Sequence, residues 1–156
     1  MRIGVLSDTH RQHYMIRKAM EYLSDVDLLI HLGDNVQDVE EISTYYKGEV
    51  IAVRGNCDFN VYESFDRVES IGGKKFFITH GHNYNVKKDL TELKYKAIEV
   101  GADIALFGHT HISQIAFEEG IWFVNPGSTS LSRNENNSFA TIDINEGKIE
   151  AHIRSL

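Results

Sequence analysis

Short apolar runs alternate with amphipathic stretches over the first two thirds of the chain, and their lengths decide what each can form. Arg2-Ile3-Gly4-Val5-Leu6, Leu28 to Leu32, Glu49 to Val53 and Ile104 to Phe107 are too brief for helices and predict buried strands. Ile16, Ala19, Met20 and Leu23 follow helical spacing, as do Val39, Ile42 and Tyr46, and later Leu90, Leu93, Ala97 and Val100. Gly48 and Gly101 stand where glycine closes a helix in the left-handed conformation. From Arg2 to Val53 the order is therefore β-α-β-α-β, which predicts a parallel sheet with helical crossovers. Beyond Phe65, Arg67, Glu69 and Ser70 are interleaved with Val68 and Ile71, and Gly72-Gly73 predicts a hairpin turn into Lys74 to Thr79. The last third is strand-like: Ile112 to Phe117, Ile121 to Val124, Phe139 to Ile144 and Lys148 to Ile153. The turns Glu118-Glu119-Gly120 and Asn145-Glu146-Gly147 between them predict antiparallel pairing. Ser132 to Ser138 is the segment expected to be most mobile. The fold class expected is α/β with mixed sheets: one domain over 1–156, two sheets packed face to face and helices outside.

Composition narrows the functional classes. The 156 residues suffice for one domain with a real core. A hydrophobic share of 42% beside 25% charged residues is that of a globular chain. A formal charge of −7 lacks the basic footprint of stable nucleic-acid or anionic-membrane binding. No apolar run approaches the roughly 20 residues of a membrane span, and Arg2 to Leu6 is too short for a signal segment. One cysteine, Cys57, excludes an internal disulfide, so a cytoplasmic, reducing setting is expected. The sequon Asn136-Asn137-Ser138 is read as a chance match.

The chemistry lies at the strand ends. The first strand runs into Ser7-Asp8-Thr9-His10, and the second into Gly33-Asp34. The third runs into Gly55-Asn56, Phe76 to Thr79 runs into His80-Gly81-His82, and Ile104 to Phe107 runs into Gly108-His109-Thr110-His111. Open α/β sheets build their sites at such carboxyl ends. Asp8, His10, Asp34, Asn56, His80, His109 and His111 make seven candidate ligands, more than one transition metal takes from protein. Two metals about 3.5–4 Å apart would use them all and clamp an in-line displacement at phosphorus. Two divalent ions against two aspartates and one hydroxide leave positive charge for a small phosphate ester. Imidazole with oxygen donors and no thiolate suits Mn, Fe, Co, Ni or Zn better than Mg or Ca.

These five motifs, in this order, resemble those of the calcineurin-like metallophosphoesterases. The short length, Gly55-Asn56-Cys57-Asp58 and Asn125-Pro126-Gly127-Ser128 resemble the small YfcE-type phosphodiesterases of that family. The resemblance runs from Ser7 to about Arg133. It implies a four-layer αββα sandwich with a binuclear site, Mn being the first expectation. It assigns Asp8, His10, Asp34 and His111 to one metal. Asp34, Asn56, His80 and His109 go to the other, with Asp34 bridging. A hydroxide between the metals would attack phosphorus directly, without a phospho-enzyme.

Two positions depart from the family pattern. Many relatives carry a histidine, acting as general acid, where Cys57 stands, and an orienting Asp where Gln37 stands, with Asp38 one further on. A thiol with an ordinary pKa of about 8.5 is a poor acid, so good leaving groups, His82 or a water are the alternatives. His82 is a candidate phosphate contact or acid, with packing near the site as the other reading. Asn56 and Arg133 are candidate substrate contacts. His31 is read as structural, His13 as facing substrate or exposed to solvent, and His152 as surface or strand interior. Cys57 is not read as a nucleophile, since Glu63 stands where cysteine phosphatases need Arg. Asp8 is not read as a phosphoryl acceptor, since His10 stands where a second Asp would. The alternative activity is a phosphomonoesterase or nucleotidase. The alternative class is a non-catalytic scaffold like the retromer subunit of the same fold, but here all seven ligand positions are intact. Homo-oligomerisation is compatible with the sequence.

Overall fold

The computed structural model describes residues 1–156. In chain order it contains β1 (Arg2–Leu6), α1 (His13–Leu23), β2 (Leu28–His31), α2 (Val39–Tyr45), β3 (Val50–Ala52), β4 (Asp66–Ile71) and β5 (Lys74–Thr79). There follow α3 (Thr91–Val100), β6 (Ile104–Leu106), β7 (Ser113–Glu118), β8 (Ile121–Pro126), β9 (Ser138–Asn145) and β10 (Lys148–Ser155). Short 3₁₀ turns lie at Val36–Asp38 and His82–Tyr84. The first sheet has the order β10-β9-β1-β2-β3 and the second β4-β5-β6-β8-β7. The strands β1, β2 and β3 are parallel, as the alternation of strand and helix requires. The hairpins β4–β5, β7–β8 and β9–β10 are antiparallel. Turn chemistry did not reveal that β8 also pairs in parallel with β6, setting Ile104 opposite Trp122.

Three apolar clusters account for the layering. Between the sheets lie Ile3 and Val5 of β1, Ile30 of β2, Phe76 and Ile78 of β5, Leu106 of β6, Val124 of β8 and Ile142 of β9. Alternate residues of the same strands face outward, because side chains switch face at each step. On the first sheet, Leu6 and Leu29 meet Ile16, Ala19, Met20 and Leu23 of α1 and Ile42 of α2. On the second, Phe77, Ala105, Phe107 and Phe123 meet Leu93 and Ala97 of α3. The result is helix, sheet, sheet, helix, as the motifs implied. Gly101 ends α3 with φ +67°, in the left-handed region expected of it, whereas α2 ends at Tyr45 with an extended Tyr46, and Gly48 does not take the left-handed conformation expected there. The stretch from Ser132 to Ser138 is a loop closed on itself: Ser132 N–H donates to Asn137 Oδ1 and Asn134 N–H to Ser132 Oγ.

The chain passes from the first sheet to the second after β3 and returns after β8. The carboxyl ends of β1, β2, β3, β5 and β6 all carry the loops that bear the predicted ligands. No helix is long and apolar enough to cross a membrane.

Candidate metal centre

Each loop leaves its strand through a tight reversal, and the ligand-bearing residues absorb it. Asp8 (φ +54°), His10 (+45°), Asp34 (+52°), His109 (+66°) and His111 (+61°) all sit in the left-handed region. That conformation costs an L-residue roughly 1–2 kcal/mol, so the surrounding structure has to hold it in place. Close approach does part of this. Gly33 and Gly55 touch backbone to backbone, and a Cβ on Gly55 would land on the Asp34 carboxylate.

The loops converge into two groups of potential ligands. Asp8, His10 and His111 form one; Asp8, Asp34 and His80 form the other. In the first, His111 Nε2 lies 3.1 Å from Asp8 Oδ1 and 3.3 Å from His10 Nε2. In the second, His80 Nε2 lies 3.4 Å from Asp34 Oδ2. The tautomers follow from the other ring nitrogens. Nδ1–H of His80 donates to Leu32 O at 2.7 Å, and Nδ1–H of His111 donates to Leu131 O at 2.7 Å. Neutral rings so anchored aim their Nε2 lone pairs at carboxylate oxygens. Lone pair against lone pair is repulsive unless a cation or a proton lies between.

Against the opposing effect of burial, Asp34 and Asp8 raise the His80 pKa. Asp8 likewise raises that of His111, again against burial. In return, His80 and the Cys57 N–H overcome burial to hold Asp34 well below the usual carboxylate range, and His111 and His80 do the same for Asp8. His109, with its ring centroid 5.1 Å from that of His80, is pushed down to about 4 by burial and by the charges of His80 and Lys87. Asp8 Oδ1 and His80 Nε2 are fully buried with no hydrogen-bond partner. Unsatisfied buried atoms of this kind are costly. Their lone pairs, in an all nitrogen and oxygen set, fit a divalent transition metal.

Buried polar groups behind the ligands fix the loops. Asp58 accepts three backbone N–H bonds, with Asp34 at 3.0 Å, Gly55 at 2.7 Å and Val36 at 2.8 Å. It thereby ties the second loop to the third. His31 Nδ1 accepts Gly33 N–H, and its Nε2–H donates to Thr9 Oγ1. The Thr9 hydroxyl donates to Asp38 Oδ2, which also accepts Arg11 N–H. The chain Gly33–His31–Thr9–Asp38 is closed only when His31 is neutral, and its burial lowers the pKa accordingly. From the second sheet, Ser128 and Ser130 hydroxyls donate to the Asp8 carbonyl at 2.7 and 2.9 Å. Asn125 Nδ2 holds Gly108 O and Thr110 Oγ1. The Asn-Pro-Gly-Ser stretch thus braces both the first and the fifth motif.

The other predicted residues are placed as follows. Asn56 is exposed, its amide turned to Cys57 Sγ at 3.4 Å, and belongs to neither group of ligands. His109 also lies outside them but packs on His80. Cys57 serves through its backbone, its N–H donating to Asp34 Oδ1 at 2.8 Å; partial burial and the Asp34 carboxylate push its thiol up to about 11. His82 stacks at a tilt on His80 and His109, with ring centroids 5.4 and 6.0 Å apart. Arg133 is exposed, and its N–H donates to His111 O. His13 is exposed and paired with Glu41, and His152 is exposed on β10. The Tyr84 hydroxyl donates to Asp66, and its ring packs edge-on against Phe77. Sequence reasoning missed Arg54, whose guanidinium stacks 3.8 Å over Phe65; that ring is 5.4 Å from His82. Its only signal was its place just before Gly55-Asn56.

A family model described as the calcineurin-like phosphoesterase superfamily domain matches residues 1–147. A probable metallophosphoesterase of Bacillus subtilis, YsnB, is 34% identical over 136 residues, covering 85% of this chain and 78% of its own length. A phosphodiesterase of Methanocaldococcus jannaschii, MJ0936, is 34% identical over 147 residues, with coverage of 81% and 83%. Among solved structures, a Streptococcus pneumoniae protein described as a predicted phosphoesterase superposes with a TM-score of 0.83 at 29% identity, over 99% of this chain and 88% of the other.

Proposed function

The chain belongs to the calcineurin-like phosphoesterase superfamily, and on that premise we propose that it is a phosphodiesterase dependent on two divalent transition-metal ions. The observation carrying this reading is the pair of anchored imidazoles, His80 and His111, whose Nε2 atoms face carboxylate oxygens. Phosphodiesterase rather than monoesterase follows the name of the Methanocaldococcus relative. Asp8, His10 and His111 would hold one ion and Asp8, Asp34 and His80 the other. The family pattern adds Asn56 and His109 and makes Asp34 the bridge, whereas Asp8 is the carboxylate common to both groups here. Ions bound there supply Lewis-acid polarisation of a phosphoryl oxygen and a water made acidic enough to attack near neutral pH. Mn is the first choice, with Ni, Fe, Co and Zn suited to the same donors.

The chain's own residues would orient the ester and manage its charge. His82 packs against His80, and Arg54 stacks on the Phe65 ring that neighbours His82; both would serve as contacts for phosphoryl oxygens. No strong acid faces the leaving group at position 57, because a thiol that holds its proton to about 11 donates it poorly. Esters of acidic alcohols and phenols are therefore the favoured substrates. The exposed free thiol of Cys57 fits a reducing cytoplasm, with residues 1–156 acting as one domain. The test is turnover of bis(para-nitrophenyl) phosphate by metal-stripped protein reloaded with each ion in turn. Activity with Mn that His80→Ala and His111→Ala both abolish supports the reading. Inactivity with every ion returns the chain to the scaffold reading.

A further inference from the structure

The surface carries five cavities, and four of them include at least one carboxylate among their lining residues. The fifth, of 240 Å³, is lined by Val86, Lys87, Thr110, Ile112, Gln114 and Arg133. It alone has two cations and no acid, on a chain whose net charge is −7. It is also the one cavity that includes a residue of the histidine loops. Thr110 stands between His109 and His111, and Arg133 N–H is bonded to the His111 carbonyl at 2.9 Å. Neither Lys87 nor Arg133 has an acidic partner within ion-pair distance, unlike Arg2, Arg67, Lys74, Lys94 and Lys96. Two cations unbalanced by any local acid, beside an apolar wall of Val86 and Ile112, match an anion carried on a short hydrocarbon or sugar linker.

We propose that this groove is a second anion subsite, so that the preferred substrate is a phosphodiester bearing a further phosphoryl group across a short carbon linker. The proposal rests on the phosphodiesterase reading and names its substrate class. Lys87 and Thr110 would grip the distal anion, and Arg133 would lie between it and the scissile ester. Such a site selects for charge at a distance from the reacting phosphorus. It contributes nothing to a simple alkyl aryl diester.

The test compares para-nitrophenyl methyl phosphate with para-nitrophenyl phosphonoethyl phosphate, which share a leaving group and differ in the distal anion. Both are assayed with Mn-loaded wild type and with the Lys87→Gln, Arg133→Gln double variant. Both positions are exposed, so the variant should fold. Two partly exposed ion pairs predict a preference in kcat/KM of about tenfold for the phosphonate in wild type. In the variant the ratio should collapse toward unity. A ratio near unity in wild type, or one unchanged by the substitutions, overturns the subsite. If neither ester is hydrolysed, the phosphodiesterase reading fails, and the groove is judged by binding. Methylenediphosphonate titrated into metal-free protein should then shift the amide NMR signals of Lys87, Thr110 and Arg133, with roughly tenfold weaker affinity in the variant. Shifts elsewhere, or equal affinity in the two proteins, overturn it.

Discussion

Replacing Asp58 by alanine should be among the most damaging single substitutions in the chain, although Asp58 belongs to neither candidate ligand group. Its carboxylate satisfies the N–H groups of Asp34, Val36 and Gly55, all three in buried residues. Removing it leaves three donors without partners, each worth about 1–3 kcal/mol when buried. Local relaxation and water entry recover part of this, so about 3–6 kcal/mol is expected, against a total stability of roughly 5–15 kcal/mol. Asp58→Asn separates charge from geometry. One amide oxygen can keep Asp34 and Gly55, which share Oδ2, but the NH₂ group then faces Val36 N–H. That variant should lose roughly half as much. Urea unfolding in chelator at neutral pH measures both, with exposed Asp25→Ala as a control expected within about 0.5 kcal/mol of wild type. Metal titration of the folded fraction should show weaker binding, because Asp34 and the Asn56 loop lose their common tether. If Asp58→Ala unfolds within about 1 kcal/mol of wild type, this carboxylate does not organise the loops.

Protein reloaded with excess Mn and freed of loose ion should retain about two equivalents; a firm plateau at one would sink the binuclear reading. Asp8→Ala should strip both ions while His111→Ala retains one, since only Asp8 belongs to both ligand groups; equal metal content in the two variants would show that Asp8 is not shared. Cys57→Ser should change kcat/KM on aryl diesters only a few-fold, far from the roughly 10²–10⁴ that a positioned general acid contributes. His31 is fully buried with its pKa depressed below the ordinary 6.5. Its contribution to stability is therefore complete above pH 6.5 and falls as acid protonates the unfolded chain first. The wild-type minus His31→Gln difference in unfolding free energy should shrink from pH 7.5 to 5.5, and a flat difference would refute the closed neutral hydrogen-bond chain.

The five residues that the fold gathers into the two candidate groups, Asp8, His10, Asp34, His80 and His111, were legible because parallel strands export their chemistry at one end, as polar residues terminating apolar runs. The layers were legible for a similar reason: Ile16 to Leu23 and Leu93 to Ala97 carry helical spacing wherever they fold. What holds the ligands was not legible. Ser128 and Ser130 reach the Asp8 carbonyl across separations of 120 and 122 residues, and no local pattern marks such a contact. Asp58 was visible within its motif, yet its three backbone bonds exist only once two loops meet. Asp38 looked like a displaced orienter of an acid that is missing; its carboxylate instead anchors Thr9 and Arg11. At position 57, partial burial and the Asp34 carboxylate push the thiol up to about 11, further from a useful acid than its ordinary value.

Each ligand group draws from both sheets: Asp8 and His10 with His111 in one, Asp8 and Asp34 with His80 in the other. The covalent chain joins the two sheets at only two places, after β3 and after β8. An ion in either group would therefore be a clasp across the sandwich, and its mass action would become cohesion between the halves. At a free concentration a hundredfold above its dissociation constant, such an ion adds about 2.7 kcal/mol against separation. Metal availability would then set the mechanical integrity of the molecule as well as its chemistry. Chelation should be felt in hydrogen exchange at the β1 and β6 ends before it is felt in the helices.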